Sequence, residues 1–255
     1  MKKTLMIESK HRAVFIVFSC FIFQLAISCA TTGNNKNTIT ESDIELITWS
    51  FDTDYSHANY SLFTLKAAAA ERNPLLNDFL NTLLYREQIM FFSGQTAREY
   101  LDNVKSSSVE WNREGHEENF TYEIRGKYLL LKRIFSGGSG SSYETAVSYI
   151  IDTELVKRLT VDDIITDSGN ASLQELIWNR LLPQIENTNW ITIDRASFSQ
   201  SLEERSFSIF FEGSKIIFHW DKGSLAANAA GAFEAAFQRS EILPYLTGIG
   251  REIFS

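Results

Sequence analysis

Past the first thirty residues the chain carries three histidines, His57, His116 and His219, and none has a second histidine within the three- to five-residue spacing that brings two imidazoles to one metal ion. A zinc site would have to borrow distant carboxylates, so no metal ligand and no cofactor is assigned. His219 stands between Phe218 and Trp220 in a strand-like run, where a surface-facing or hydrogen-bonded histidine is far commoner than a ligand. Gly137-Gly138-Ser139-Gly140-Ser141-Ser142 has the suppleness of a phosphate cradle or a nucleophile elbow. No Gly-Lys-Ser/Thr follows it, however, and the G-x-S-x-G frame about Ser139 ends on Ser141, so it reads as a loop between strands. Its glycines would still let a partner's backbone approach closely. Glu117-Glu118 and Asp162-Asp163 are the acidic pairs, but adjacent side chains point apart, and Asp162-Asp163 suits the positive start of a short helix. No catalytic residue is assigned.

Cys29 is the residue whose surroundings do specify chemistry. Met1 to Arg12 holds Lys2, Lys3, Lys10 and Arg12 against Glu8, and Ala13 to Ile27 follows as a run apolar apart from Ser19 and Gln24. That is a basic start and a hydrophobic stretch too short for a comfortable membrane span, hence a signal peptide over residues 1–28. Leu25-Ala26-Ile27-Ser28-Cys29 looks like a bacterial lipobox, in which the Cys29 thiol takes the lipid and the small Ser28 admits the peptidase. Cys20 would be discarded with the leader, so the folded part has neither a disulfide nor a thiolate metal site. Several acyl chains on one residue would hold the protein stably on a membrane.

Without residues 1–28, which hold four basic residues and one acidic, 20 basic and 31 acidic residues remain, a net charge of −11. With no basic run, a nucleic-acid backbone is excluded as a partner. Residues 29–40 are small and polar and read as a flexible tether. The domain proper is expected over 41–255, with a division into two subdomains near 110–120.

The elements that would position these residues follow from periodicity. Ile44 to Phe51 is a strand with no obvious partner. Asn73-Pro74 starts a helix with Leu75, Leu76, Phe79, Leu80, Leu83 and Leu84 on its apolar stripe, and Thr96 with Glu99 starts another. Phe120, Tyr122 and Ile124 alternate up to a turn at Gly126, Tyr128 to Phe135 returns, and Ala146 to Ile151 makes a third strand. Thr160 opens a short helix, and Leu173, Leu176, Ile177 and Leu181 form a longer one ended near Pro183. Phe207 to Phe211 and Ile216 to Trp220 pair about Glu212-Gly213-Ser214. Ala226-Ala227-Asn228-Ala229-Ala230-Gly231 is a tight packed turn feeding the strand Ala232 to Phe237, and Ser240 caps a closing helix. The class is α+β, a mainly antiparallel sheet with helices packed on one face.

The order Gly137-Gly138, Ile150-Ile151-Asp152, Leu159-Thr160-Val161-Asp162-Asp163-Ile164, Trp220, Ala229-Ala230-Gly231 and Leu243-Pro244-Tyr245-Leu246 resembles the extracytoplasmic domain shared by RsiV-type anti-sigma factors and PdaC-type deacetylases, a DUF3298/DUF4163-like domain. The resemblance covers roughly residues 120 to 246. Two features depart from it: the proline of the small-residue turn is missing, and Gly140 stands where the family loop commonly has histidine. In the anti-sigma factors this module is an outer sensor that binds lysozyme; in the deacetylases it sits beside a separate catalytic domain.

The resemblance implies the outer module alone, here behind a lipid anchor. The expectation is therefore a non-enzymatic lipoprotein of the bacterial envelope, periplasmic or surface-facing, binding a lysozyme-like protein or cell-wall glycan (peptidoglycan). Its candidate ligand-binding residues are Gly137, Gly138, Ser139 and Gly140, with Trp220 and Asp221, taken as exposed turns. The alternatives are a cell-wall polymer hydrolase, which would show two inward carboxylates in one cleft, and a scaffold lipoprotein for envelope assembly.

Overall fold

Tyr128-Leu129-Leu130-Leu131 is apolar without alternation because its strand is covered on both sides. Leu129 and Leu131, with Tyr149 and Ile151 of the next strand, face one hydrophobic core; Tyr128, Leu130 and Ile150 face a second. The computed structural model describes residues 38–52, 57–86, 92–108, 115–138, 143–187, 193–226 and 230–255. The leader, Cys29, most of the tether, Ser139 to Ser142 and residues 227–229 lie outside the described residues. Of the tether, Ile39 is buried in the first core and Thr40 caps the turn that follows.

The large sheet has the order β1 (Ile44–Asp52), β2 (His57–Leu65), β3 (Gly115–Arg125), β4 (Tyr128–Gly138), β5 (Tyr143–Asp152) and β6 (Lys157–Leu159). Neighbours are antiparallel except β2 and β3, which run parallel. Parallel neighbours need a long crossover. It consists of α1 (Ala67–Arg72), α2 (Pro74–Asn81) with a π turn at Thr82–Arg86, and α3 (Ala97–Ser108). These helices cover one face of the large sheet with Leu76, Leu80, Leu84, Tyr85, Tyr100 and Val104. Leu75, expected on the buried stripe, is 77% exposed. Gly126, at φ +59°, makes the β3–β4 turn that period two had marked.

After α4 (Val161–Ile164), α5 (Ala171–Asn187) and α6 (Arg195–Glu203) comes a three-stranded antiparallel sheet of β7 (Ser208–Glu212), β8 (Lys215–Trp220) and β9 (Phe233–Gln238). One of its faces, Ile216, Phe218 and Trp220 with Ala235 and Phe237, packs on α5 and α6 through Leu173, Ile177, Phe198 and Leu202. On the other face Phe210 and Ile217 meet Ala146 of β5. The chain closes through α7 (Arg239–Ile242) and α8 (Gly248–Ile253). Gly250 must be glycine: a Cβ there would stand 2.4 Å from the Ile164 carbonyl oxygen of α4.

The α+β class stands as expected. The strand at Ile44 finds its partner in β2, which the residue pattern had not marked. Pro183 does not end α5; it sits in the last turns, where the N–H it lacks would have donated to the carbonyl of the exposed Asn179. Gln238, not Ser240, caps α7, its backbone N–H donating to Glu241 Oε2 at 2.8 Å. The expected division near 110–120 falls partly on residues outside the described ones; β3, from Gly115, joins the sheet begun by β1, and the described residues fall in one compact unit.

Candidate functional site

The sequence-marked residues divide sharply. Gly137 and Gly138 end β4, opposite His116 and Gly115, and are strand rather than loop. Ser139 and Gly140 lie outside the described residues. Trp220 is not on an exposed turn. It is the last residue of β8, opposite Phe233, and alternation turns its ring to the helix side, where it is 0% exposed and its Nε1–H donates to Ser201 Oγ at 3.1 Å.

Asp221, next in sequence, points the other way. Its Oδ1 accepts from the backbone N–H of Ala146 at 2.8 Å, and the Ser208 hydroxyl donates to the Ala146 carbonyl at 3.2 Å. These two side chains satisfy an edge that β6 leaves bare, since β6 pairs only with Ile150, Ile151 and Asp152. Ala146 lies three residues, about 10 Å, along β5 from Tyr143, the partner of Gly137, so Asp221 caps the edge toward the same end of the large sheet as Gly137.

His219 sits beneath this cap, 6% exposed. Its Nδ1 bonds Glu234 Oε1 of β9 at 2.9 Å and its Nε2 bonds Asp221 Oδ1 at 3.1 Å. Burial alone would lower its pKa, but the hydrogen bonds to Asp221 and Glu234 raise it to about 9. The imidazolium in turn holds the Glu234 carboxyl below its usual range, with Lys132 of β4 adding to the effect. In the doubly protonated form both ring N–H groups are donors, one to each carboxylate. This cluster fastens β8 and β9 to the β5 edge.

On the opposite side of β4 lies a second buried group that the sequence did not reveal. Glu118 is 0% exposed, paired with Arg133 Nη2 at 2.8 Å, and accepts from the Tyr100 hydroxyl at 2.5 Å. Glu117 points outward, 3.9 Å from His57, as expected for adjacent residues of a strand. Burial pushes the Glu118 carboxyl up, against the pull of Arg133 and Tyr100.

At the other end of β3 and β4 lies a cleft of about 750 Å³ between the turns at Gly126 and Gly213 and the closing helix α8. Arg125 welds it together. Its Nε and Nη2 reach the two oxygens of Glu123 at 2.8 and 3.0 Å, Nη2 also reaches the Gly213 carbonyl at 2.6 Å, and Nη1 the Ile253 carbonyl at 3.2 Å. The Tyr128 hydroxyl donates to Glu252 Oε2 at 2.7 Å, and Lys127 pairs with the buried Asp152 at 3.3 Å. Arg239, on the rim, has no carboxylate partner among the described residues. Sequence reasoning missed this group; the two-residue spacing of Glu123 and Arg125 on one strand was the available signal, while the meeting of the two turns left none.

Among the described residues no group of three or more His, Cys, Asp or Glu is placed to hold a metal ion, and no helix is long and apolar enough to cross a membrane. No protein-family model and no curated protein matches the chain. In fold it is similar to the crystal structure of a DUF3298-family protein of Bacteroides fragilis, 14% identical, with a TM-score of 0.54 over 82% of this chain and 96% of that one. A DUF3298-family protein of Pseudomonas aeruginosa is similar in the same way, 8% identical, with a TM-score of 0.54 over 83% of this chain and 95% of the other. At these identities the shared property is the fold, which is DUF3298-like.

Proposed function

We propose that this protein is a non-enzymatic lipoprotein of the bacterial cell envelope, anchored through Cys29, whose domain binds a cell-wall glycan in the cleft at Arg125, Lys127 and Arg239. The observation that carries the reading is Arg239. In a chain that keeps 31 acidic and 20 basic residues past the leader, a guanidinium with no carboxylate partner, on the rim of a ligand-sized cleft, supports recognition of an anionic group. The stem-peptide carboxylates of peptidoglycan are such groups. The reading as binder rather than enzyme draws on how the acidic groups are used. Both Glu123 oxygens are taken by Arg125, Asp221 caps a strand edge, and Glu118 is sealed.

Net charge favours a second occupant, a strongly basic lysozyme-like protein, whose encounter with a −11 domain would be accelerated. Calorimetry on the protein from Ala30 onward, at low and moderate salt, separates the two. Saturable binding of soluble peptidoglycan fragments that weakens in Arg239→Ala is expected. Lysozyme binding that survives moderate salt and ignores Arg239→Ala would move the ligand to a protein. Silence with both would end the binding proposal. Release of new reducing ends by the wild type and not by Glu252→Gln would instead make the cleft a hydrolase site.

A further inference from the structure

A second cavity, of about 400 Å³, opens between β6 with α4 on one side and β7 on the other. The topology creates it. Strand β6 covers the outer edge of β5 only from Ile150 onward, and the next cover arrives at Ala146 from Ser208 and Asp221. At Ser148, between them, the second core comes to the surface, with Ile150, Val161, Phe207 and Ile209 as walls.

Two arginines stand at the mouth, and they differ. Arg205 is committed: its Nε donates to Asp162 Oδ1 at 2.7 Å and its Nη1 to the Glu203 carbonyl at 2.9 Å. It also holds φ +57° just past α6, a position usually given to glycine. Arg158 lies over the Tyr149 ring, its guanidinium carbon 4.8 Å from the centroid, and spends one N–H on the Ser148 carbonyl at 3.0 Å. It has no carboxylate partner among the described residues, in a chain with acidic groups in excess. The contact with the Tyr149 ring and the bond to Ser148 hold the guanidinium in place, and its remaining N–H groups are left for an acceptor.

We infer that this cavity binds an anionic amphiphile, an apolar tail lying against Ile150, Val161, Phe207 and Ile209 and a carboxylate or phosphate head meeting Arg158. The volume lies in the range of small-molecule sites, the walls are apolar, and one uncompensated planar cation at the mouth selects a single compact anionic head. The inference is independent of the cleft at Arg239.

The test is calorimetry of decanoate, decyl phosphate and decanol, each below its micelle threshold, on the protein from Ala30 onward. One-to-one saturable binding of at least one anion is expected, at least tenfold weaker for decanol and for Arg158→Ala, and unchanged in Arg239→Ala. Preference for decyl phosphate or decanoate tells which head the site takes. Ser148→Trp, which fills the mouth, should abolish binding; a thermal melt shows whether it folds, and if it does not, Arg158→Ala and decanol decide. Absence of saturable binding by both anions, or equal affinity for wild type and Arg158→Ala, overturns the inference.

Discussion

Arg133 is 5% exposed and Glu118 wholly buried on the helix side of the large sheet, whereas the acids that hold His219 on the small-sheet side keep 30% and 48% of the Asp221 and Glu234 side chains in solvent. Both groups bury charge, but they do so at different cost. Around Glu118 no water can compensate a lost partner, and its carboxylate depends on Arg133 and Tyr100. Around His219 the acids can turn outward. The first cluster is part of the sealed core; the second is a clasp between two sheets, fastened at the rim. Buried charge by itself therefore does not mark a working site in this molecule, and solvent access separates structural ion pairs from groups that can respond to their surroundings.

The largest effect that would break this comparison lies on the sealed side. Arg133→Ala leaves Glu118 buried and uncompensated, and should cost about 3–5 kcal/mol in urea unfolding. Replacing both partners, Arg133→Met with Glu118→Leu, should cost less than the single change, because no charge then stays behind. A single change worth under about 1 kcal/mol would show that water reaches this pair after all.

On the clasp side the losses should be smaller. Asp221→Ala strips the Ala146 N–H of its acceptor and should cost about 1–3 kcal/mol, while Asp221→Asn keeps an amide oxygen at that place and should cost less. Equal losses would mean that the charge on Asp221, and not the edge cap, carries its contribution.

The clasp should also respond to pH. His219 is raised from an ordinary 6.5 to about 9, so its contribution is complete below pH 6.5 and disappears as pH rises through 9. Glu234 is lowered, so its share is present above its ordinary 4.5 and disappears as pH falls below that. The stability gap between wild type and His219→Gln should then narrow between pH 7 and pH 10. A constant gap over that window would mean that His219 is not charged in the folded state.

The same contrast governs what was legible in the sequence. The β3–β4 hairpin was legible because one residue in two is apolar up to Gly126, and α4 because Thr160 and Asp163 cap each other at three-residue spacing. His57–Leu65 was not, since its burial does not alternate cleanly, and its parallel pairing with β3 depends on a crossover of some fifty residues. Trp220 was misplaced because, as the last residue of its strand, it was taken to lead into an exposed turn, whereas it is still paired and its ring is turned inward. The helix-side direction of the ring follows only once Phe233 is known to oppose it. The site groups were the least legible. Glu118 meets Arg133, and His219 meets Glu234, across strand neighbours whose register no single segment encodes.

The smallest expected effect marks the outer limit of the sealed side. On α2 and its π turn, Leu76, Leu80 and Leu84 repeat at four-residue spacing and are at most 4% exposed, so Leu76→Ala should open a cavity costing about 2–5 kcal/mol. Leu75 precedes them by one residue, a rotation of about 100° on the helix, which carries it off the core and into solvent. Leu75→Lys should change stability by no more than about 0.5 kcal/mol in the same urea titration. Since Leu75 and Leu76 are chemically identical neighbours, only their direction distinguishes them. Similar losses at both positions would mean that something covers this face of α2 in the intact protein, and that the sealed core extends further out than α2.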